Sequence, residues 1–120
     1  MSDDTAIRTT VFDYFDGYFA KDRVKLESAF ALDIANMMGI EDSPTGDATY
    51  SVSIRDQIDR WCSPDRPAME FGPGRILSLQ LFGDAGAMVL FDFGGKFLDS
   101  LQLAKVDGRW KIVNKFFVVA

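Results

Sequence analysis

A chain of 120 residues with 48% hydrophobic and 26% charged content is long enough for one domain with a true core. Its net charge of −5 at pH 7 argues against nucleic acid, which needs a basic footprint. No apolar run approaches the roughly 20 residues of a membrane span, no basic-then-apolar leader opens the chain, and the lone Cys62 offers no disulfide framework, so a cytoplasmic setting is expected.

Asp3, Asp4 or Thr5 is positioned to cap a first helix, in which Ile7, Val11, Tyr14, Phe15, Tyr18 and Phe19 recur at helical spacing as one aromatic face. Asp22 caps a shorter second helix carrying Val24, Leu26, Ala29 and Phe30. Residues 31–38 place Leu32, Ile34, Asn36 and Met38 on one parity and read as a strand; 42–47 read as a turn or loop, and 49–52 as a short strand. Ser53 followed by Asp56 is a capping-box variant opening a third helix, with Ile54, Ile58, Trp61 and Cys62 on its inner face. After a Pro/Gly loop over 63–74, the chain reads as four strands joined by turns at Gly83-Asp84, Gly94-Gly95 and Asp107-Gly108. Helices first and an antiparallel meander afterwards indicate one α+β domain over residues 1–120, its helices packed on one face of a strongly curved antiparallel sheet.

Two-residue turns fix a register. Val106 is then opposite Arg109, Leu103 opposite Ile112, Leu101 opposite Asn114 and Asp99 opposite Phe116; Phe82 is opposite Ala85, and Phe93 opposite Lys96. One face accordingly holds Phe97, Asp99, Leu101, Leu103, Trp110, Ile112, Asn114 and Phe116, joined by Leu77, Leu79, Leu81, Met88, Leu90 and Asp92. The other holds Ser78, Gln80, Ala87, Val89, Phe91, Ser100, Gln102, Ala104, Val113, Lys115 and Phe117, a mixture expected to be covered by a second copy of the chain.

The chain contains no histidine. Ser-His-Asp and Cys-His nucleophiles, a histidine base and the usual zinc sites are therefore absent, and acid–base chemistry falls to Asp, Glu, Tyr or Lys. Neither a cofactor nor a metal is expected: Asp33, Glu41, Asp42 and Asp47 lack the regular ligand spacing of a calcium loop. Asp99 on an apolar face is the first candidate, as a general base or acid with its pKa raised by burial, or as a carboxylate that orders the sheet by accepting hydrogen bonds. Asp92 would lie diagonal to it, roughly 7–8 Å away, or sit simply as a turn-adjacent Asp. Tyr14 and Tyr18, one helical turn apart, can donate to a developing oxyanion or serve as core. Trp61, Met88, Leu101, Asn114 and Phe116 complete the expected pocket lining.

Three blocks carry a family resemblance. They are Val11-Phe-Asp-Tyr14-Phe-Asp-Gly17 with Asp22 and Ala29-Phe30; the helix after Ser53; and Phe97-Leu-Asp99-Ser-Leu-Gln-Leu with Asp107-Gly-Arg-Trp-Lys-Ile-Val-Asn-Lys115. On these the chain resembles the nuclear transport factor 2-like superfamily of cone-shaped α+β domains. Within it the chain looks most like the branch labelled putative lumazine-binding, close to the SnoaL-like polyketide cyclases. The resemblance implies a homodimer through the outer sheet face and, in enzymatic members, pocket carboxylates and tyrosines. Ketosteroid isomerases pair a first-helix tyrosine with two aspartates, to which Tyr14 and the sheet aspartates compare.

Two functional classes follow. One is a cofactor-free isomerase, dehydratase or cyclase acting on a small apolar or aromatic molecule, with Asp99 as base or acid, Tyr14 as donor and Asp92 and Asn114 in support. The other is a non-catalytic module whose pocket sequesters a ligand or is filled by its own side chains. A cavity volume below the few hundred Å³ expected of a ligand site weighs against both pocket readings and toward a structural module with a filled interior.

Overall fold

The computed structural model describes residues 2–43 and 46–120, with the backbone alone for 41–43, 46–48 and 50. Among the described residues three helices, α1 (Asp3–Ala20), α2 (Arg23–Ala29) and α3 (Ile54–Trp61), accompany six strands. These are β1 (Asn36–Ser43), β2 (Gly46–Ser53), β3 (Arg75–Phe82), β4 (Gly86–Phe93), β5 (Phe97–Val106) and β6 (Arg109–Val119). The sheet order is β2-β1-β6-β5-β4-β3. Every neighbouring pair is antiparallel except β1 and β6, which run parallel because the β1–β2 hairpin docks on the free edge of β6. Among the described residues, no helix is long and apolar enough to cross a membrane.

Local chemistry explains the helix limits. Ser2, rather than Asp3–Thr5, caps α1, its hydroxyl accepting from the Thr5 N–H at 3.2 Å. Asp3 instead accepts from Trp110 Nε1 at 3.0 Å and Lys105 Nζ at 3.2 Å, tying the start of α1 to the last hairpin. Those contacts, Trp110 first, hold its carboxyl below the usual range. Asp22 and Ser53 cap α2 and α3 as their positions predict.

The stretch expected as strand over 31–38 divides. Ile34 and Ala35 donate back to the Ala31 carbonyl at 3.1 and 2.8 Å, closing a turn, and the strand begins only at Asn36. In the expected 42–47 loop, the strands extend to Ser43 and resume at Gly46; positions 44 and 45 lie outside the described residues.

Register is where structure and sequence part most. The Asp107-Gly108 turn pairs Val106 with Arg109 and Leu103 with Ile112 as expected. A bulge then leaves Val113 without a partner: Gln102 pairs with Asn114, Leu101 with Lys115 and Asp99 with Phe117. Beyond the bulge every β6 side chain changes face. The two glycine turns also connect through three residues, pairing Phe82 with Gly86 and Phe93 with Phe97. Ala87, Val89, Phe91 and Phe93 consequently pack beneath the helices and are buried, whereas Met88 and Leu90 point outward. On β3 a second bulge leaves Leu77 unpaired, while Leu79 and Leu81 remain opposite Val89 and Ala87.

Candidate functional site

Tyr14 sits mid-way along α1, on the face formed by Ile7, Val11 and Tyr18, and its hydroxyl reaches down to the sheet. There it donates to Asp99 Oδ2 at 2.8 Å. Asp99 is fully buried on β5. Lys115, turned inward by the Val113 bulge, brings its Nζ to 3.5 Å from Asp99 Oδ1. At that length the contact is an ion pair at the outer limit of a hydrogen bond, and Oδ1 has no closer donor among the described residues. The ammonium also donates to Met37 Sδ at 3.4 Å and lies 4.5 Å from the centre of the Phe117 ring, with Tyr14 and Trp61 at 5.8 and 5.9 Å.

An ammonium group has three donors. A thioether, a carboxylate oxygen at 3.5 Å and ring faces satisfy them poorly, and Lys115 is only 4% exposed. Burial therefore dominates both partners. It pushes the Asp99 carboxyl up, against the opposing effects of Lys115 and Tyr14, and pushes the Lys115 amine down, against the opposing effect of Asp99. A proton passing from Nζ to Oδ1 relieves both burial costs and leaves the net charge of the site unchanged.

Beside the ammonium is a cavity of about 160 Å³. Lys115 and Met37 form its polarisable end, and the rings of Tyr14, Tyr18, Trp61, Phe93, Phe97 and Phe117 form the rest. Gly39 on β1 makes room for this wall: a Cβ there would fall 2.1 Å from the Phe117 ring. The volume is below the roughly 300 Å³ at which drug-sized ligand sites begin. It is close to the roughly 150 Å³ of an apolar cavity that admits benzene. By the volume expected of a ligand site the result falls on the side of a filled interior: the aromatic side chains occupy most of the expected pocket, and the space left suits at most a single ring.

Of the expected site residues, Tyr14, Tyr18 and Trp61 line the cavity. Asp99 lies behind the wall, joined to it through Tyr14 and Lys115. Leu101 is buried on the same sheet face but belongs to the core. Four expected residues are on the other face. Asp92, opposite Leu98, accepts from Arg75 at 3.0 Å and from the Gly95 N–H at 2.8 Å, contacts that hold its carboxyl below the usual range. Asn114 donates to Gln102 Oε1 at 3.2 Å, and Met88 and Phe116 are exposed. Lys115 and Phe117, placed outside by the two-residue register, are site residues instead, and Phe93 joins them. Asp33, from the acidic group considered for metal, pairs with Arg55 at 2.8 Å. The side chains of Glu41, Asp42 and Asp47 lie outside the described residues.

This architecture, three helices over a six-stranded mixed sheet among the described residues, with a small cavity beside Lys115, defines an α+β domain of the nuclear transport factor 2-like class. The chain matches the family described as Putative lumazine-binding over residues 2–118 and belongs to that family. A comparison with curated proteins finds no match. Among solved structures, it is similar to an NTF-2-like protein of unknown function from Silicibacter pomeroyi, with 24% identity, full coverage of both chains and a TM-score of 0.75. An NTF2-like protein of unknown function from Methylobacillus flagellatus is 25% identical with a TM-score of 0.75, covering 100% of this chain and 95% of the other. A ketosteroid isomerase-like protein from Erwinia carotovora atroseptica is 13% identical with a TM-score of 0.69, covering 96% and 94%. At 24% and 13% identity the first and the last show the fold alone.

Proposed function

We propose that this protein binds a small, neutral, single-ring or short-chain carbonyl compound in the aromatic cavity and promotes cofactor-free proton transfer on it. The observation that carries the reading is the buried Lys115 ammonium, facing the cavity with its donors poorly filled and Asp99 3.5 Å behind it. A purely filled interior gains nothing from a charge in that position, because burying it costs several kcal/mol unless something compensates. The internal Asp99 charge makes a neutral ligand the best match: an anionic ligand would crowd the carboxylate, and a cationic one the ammonium. Once its own proton has passed to Asp99, held in place by Tyr14, the Lys115 amine takes the proton from the carbon beside the carbonyl, and the ammonium so formed faces the negative charge developing on the ligand oxygen before returning the proton. Isomerisation, dehydration and cyclisation all begin with this step.

Cyclohexanone in D2O supplies a test without knowledge of the natural substrate. Deuterium uptake at the carbons beside the carbonyl, followed by proton NMR, should run about a hundredfold faster with the wild-type protein than with Lys115→Met. Cyclohexanone binding with exchange no faster than in buffer would sink the catalytic reading and leave a sequestering pocket.

The outer sheet face supports a homodimer. Met38 pairs with Phe116, Phe116 with Ser100 and Ser100 with Leu90, forming an exposed, largely apolar row across four strands. A second copy of this chain is the occupant proposed, in agreement with the superfamily resemblance. Light scattering at micromolar protein should give twice the chain mass; a monomeric mass refutes the dimer. A cytoplasmic setting fits the single free thiol of Cys62.

A further inference from the structure

We propose that the Lys115 amine forms a protonated imine with a small aromatic aldehyde admitted to the cavity, with Asp99 carrying the protons. This rests on the reading of the cavity as a carbonyl site and goes further by making Lys115 a covalent partner. Three features of the structure support it.

The first is position. Nζ of Lys115 is at the cavity wall, over the rings of Phe117, Tyr14 and Trp61, so a flat aldehyde lying among those rings presents its carbonyl carbon to nitrogen. The second is what distinguishes this lysine from the others. Lys21 donates to the carbonyls of Ser63 and Arg66 at 2.8 and 3.1 Å, Lys105 to Asp3 at 3.2 Å, and Lys111 to the Ser28 carbonyl at 2.6 Å. Only Lys115, among the described residues, is a buried amine facing a cavity, and burial favours its neutral, nucleophilic form. The third is the carboxylate. Tyr14 holds Asp99 by Oδ2, leaving Oδ1, the atom nearest Nζ, free to exchange a proton.

The steps balance without an outside reactant. Lys115 gives an ammonium proton to Asp99 Oδ1. The freed nitrogen lone pair forms the C–N bond while the carbonyl π pair moves onto oxygen. That oxygen takes one of the two protons on nitrogen, leaving a neutral carbinolamine. Asp99 finally returns its proton by way of that nitrogen to the hydroxyl, which departs as water as the nitrogen lone pair closes the C=N bond. The site ends with a protonated imine beside the Asp99 carboxylate, the same charge pairing with which it began. The apolar interior therefore takes on no new charge.

Benzaldehyde with sodium cyanoborohydride tests this on the whole protein: hydride reduces the imine carbon and fixes one benzyl group on the lysine. Peptide mass mapping should find that group on Lys115 of the wild-type protein about tenfold faster than on any other lysine. The fast label should be lost in Lys115→Arg, which keeps a cation but cannot form the imine. Label spread over the exposed lysines with Lys115 unmodified overturns the imine. Benzyl alcohol tests the cavity separately, since it carries the same ring and a hydrogen-bonding oxygen but no carbonyl carbon. A rise in Tm with benzyl alcohol, without labelling of Lys115, overturns the imine and leaves the cavity reading standing. Neither a rise nor labelling overturns both.

Discussion

Lys115→Met should destabilise the protein by about 3–5 kcal/mol near pH 8, making it, with Phe91→Ala, one of the two costliest single substitutions considered. Methionine nearly matches the shape of the lysine stem, so little packing is lost. The loss is the counter-charge. Asp99 is fully buried and has two charged or titratable neighbours, Lys115 from β6 and Tyr14 from α1. Without Lys115 the carboxylate retains only the phenol, and desolvation raises its folded-state pKa further above the roughly 3.9 of the unfolded chain. A group raised in the folded state contributes fully below its unfolded pKa, and its contribution is lost as pH rises through the folded value. The Lys115→Met deficit should therefore be small in acid and grow with pH.

Urea unfolding of wild type and variant at matched protein concentration, from acid to mildly alkaline pH, checks this. A deficit below about 1 kcal/mol with no pH dependence would mean Lys115 points to solvent. The double variant Asp99→Leu/Lys115→Met should recover most of the loss, because it leaves no buried charge unpaired.

Phe91→Ala is the second large effect, expected to cost about 3–5 kcal/mol. Phe91 is fully buried, meets Phe12, Phe15 and Phe93 edge to face, and packs a tilted ring against Tyr14. It is also directly opposite Asp99 across the β4–β5 ladder, so truncating it opens a void beside the carboxylate. Met88→Ala should cost little, since Met88 is half exposed on the outer face. The pair of substitutions discriminates between registers. Two-residue turns would make Met88 core and Phe91 exposed, and the reverse order of costs would establish that register instead. Thermal or urea unfolding of the two variants decides it.

That contrast shows which parts of this molecule are legible in its sequence. Caps and turns are local: Asp22, Ser53, Gly83, Gly94 and the Asp107-Gly108 pair mark where elements begin and end, and the structure ends them there. Tyr14 and Asp99 stand out because a helix face and an alternating strand each have a fixed period. Facing depends instead on whether a turn spends two residues or three, and on whether a strand absorbs an extra one. Those choices are settled by how Phe91, Phe93 and Phe117 pack against α1 and β1, contacts distant in sequence. A signal for the bulge was present. Ile112-Val113 and Phe116-Phe117 are adjacent apolar pairs that break strict alternation, as one extra residue between them would require. Reading that break brings Lys115 inward and turns Asn114 to the other face.

Lys115 is buried against Asp99 at the cavity. Titration of the Lys115 side chain, followed through its Cε resonance by NMR in wild type and in Asp99→Asn, tests it most directly. The account predicts that Lys115 loses its proton at lower pH than the surface lysines, and at lower pH still once the Asp99 charge is removed. A Lys115 that titrates with the surface lysines in both proteins would contradict it.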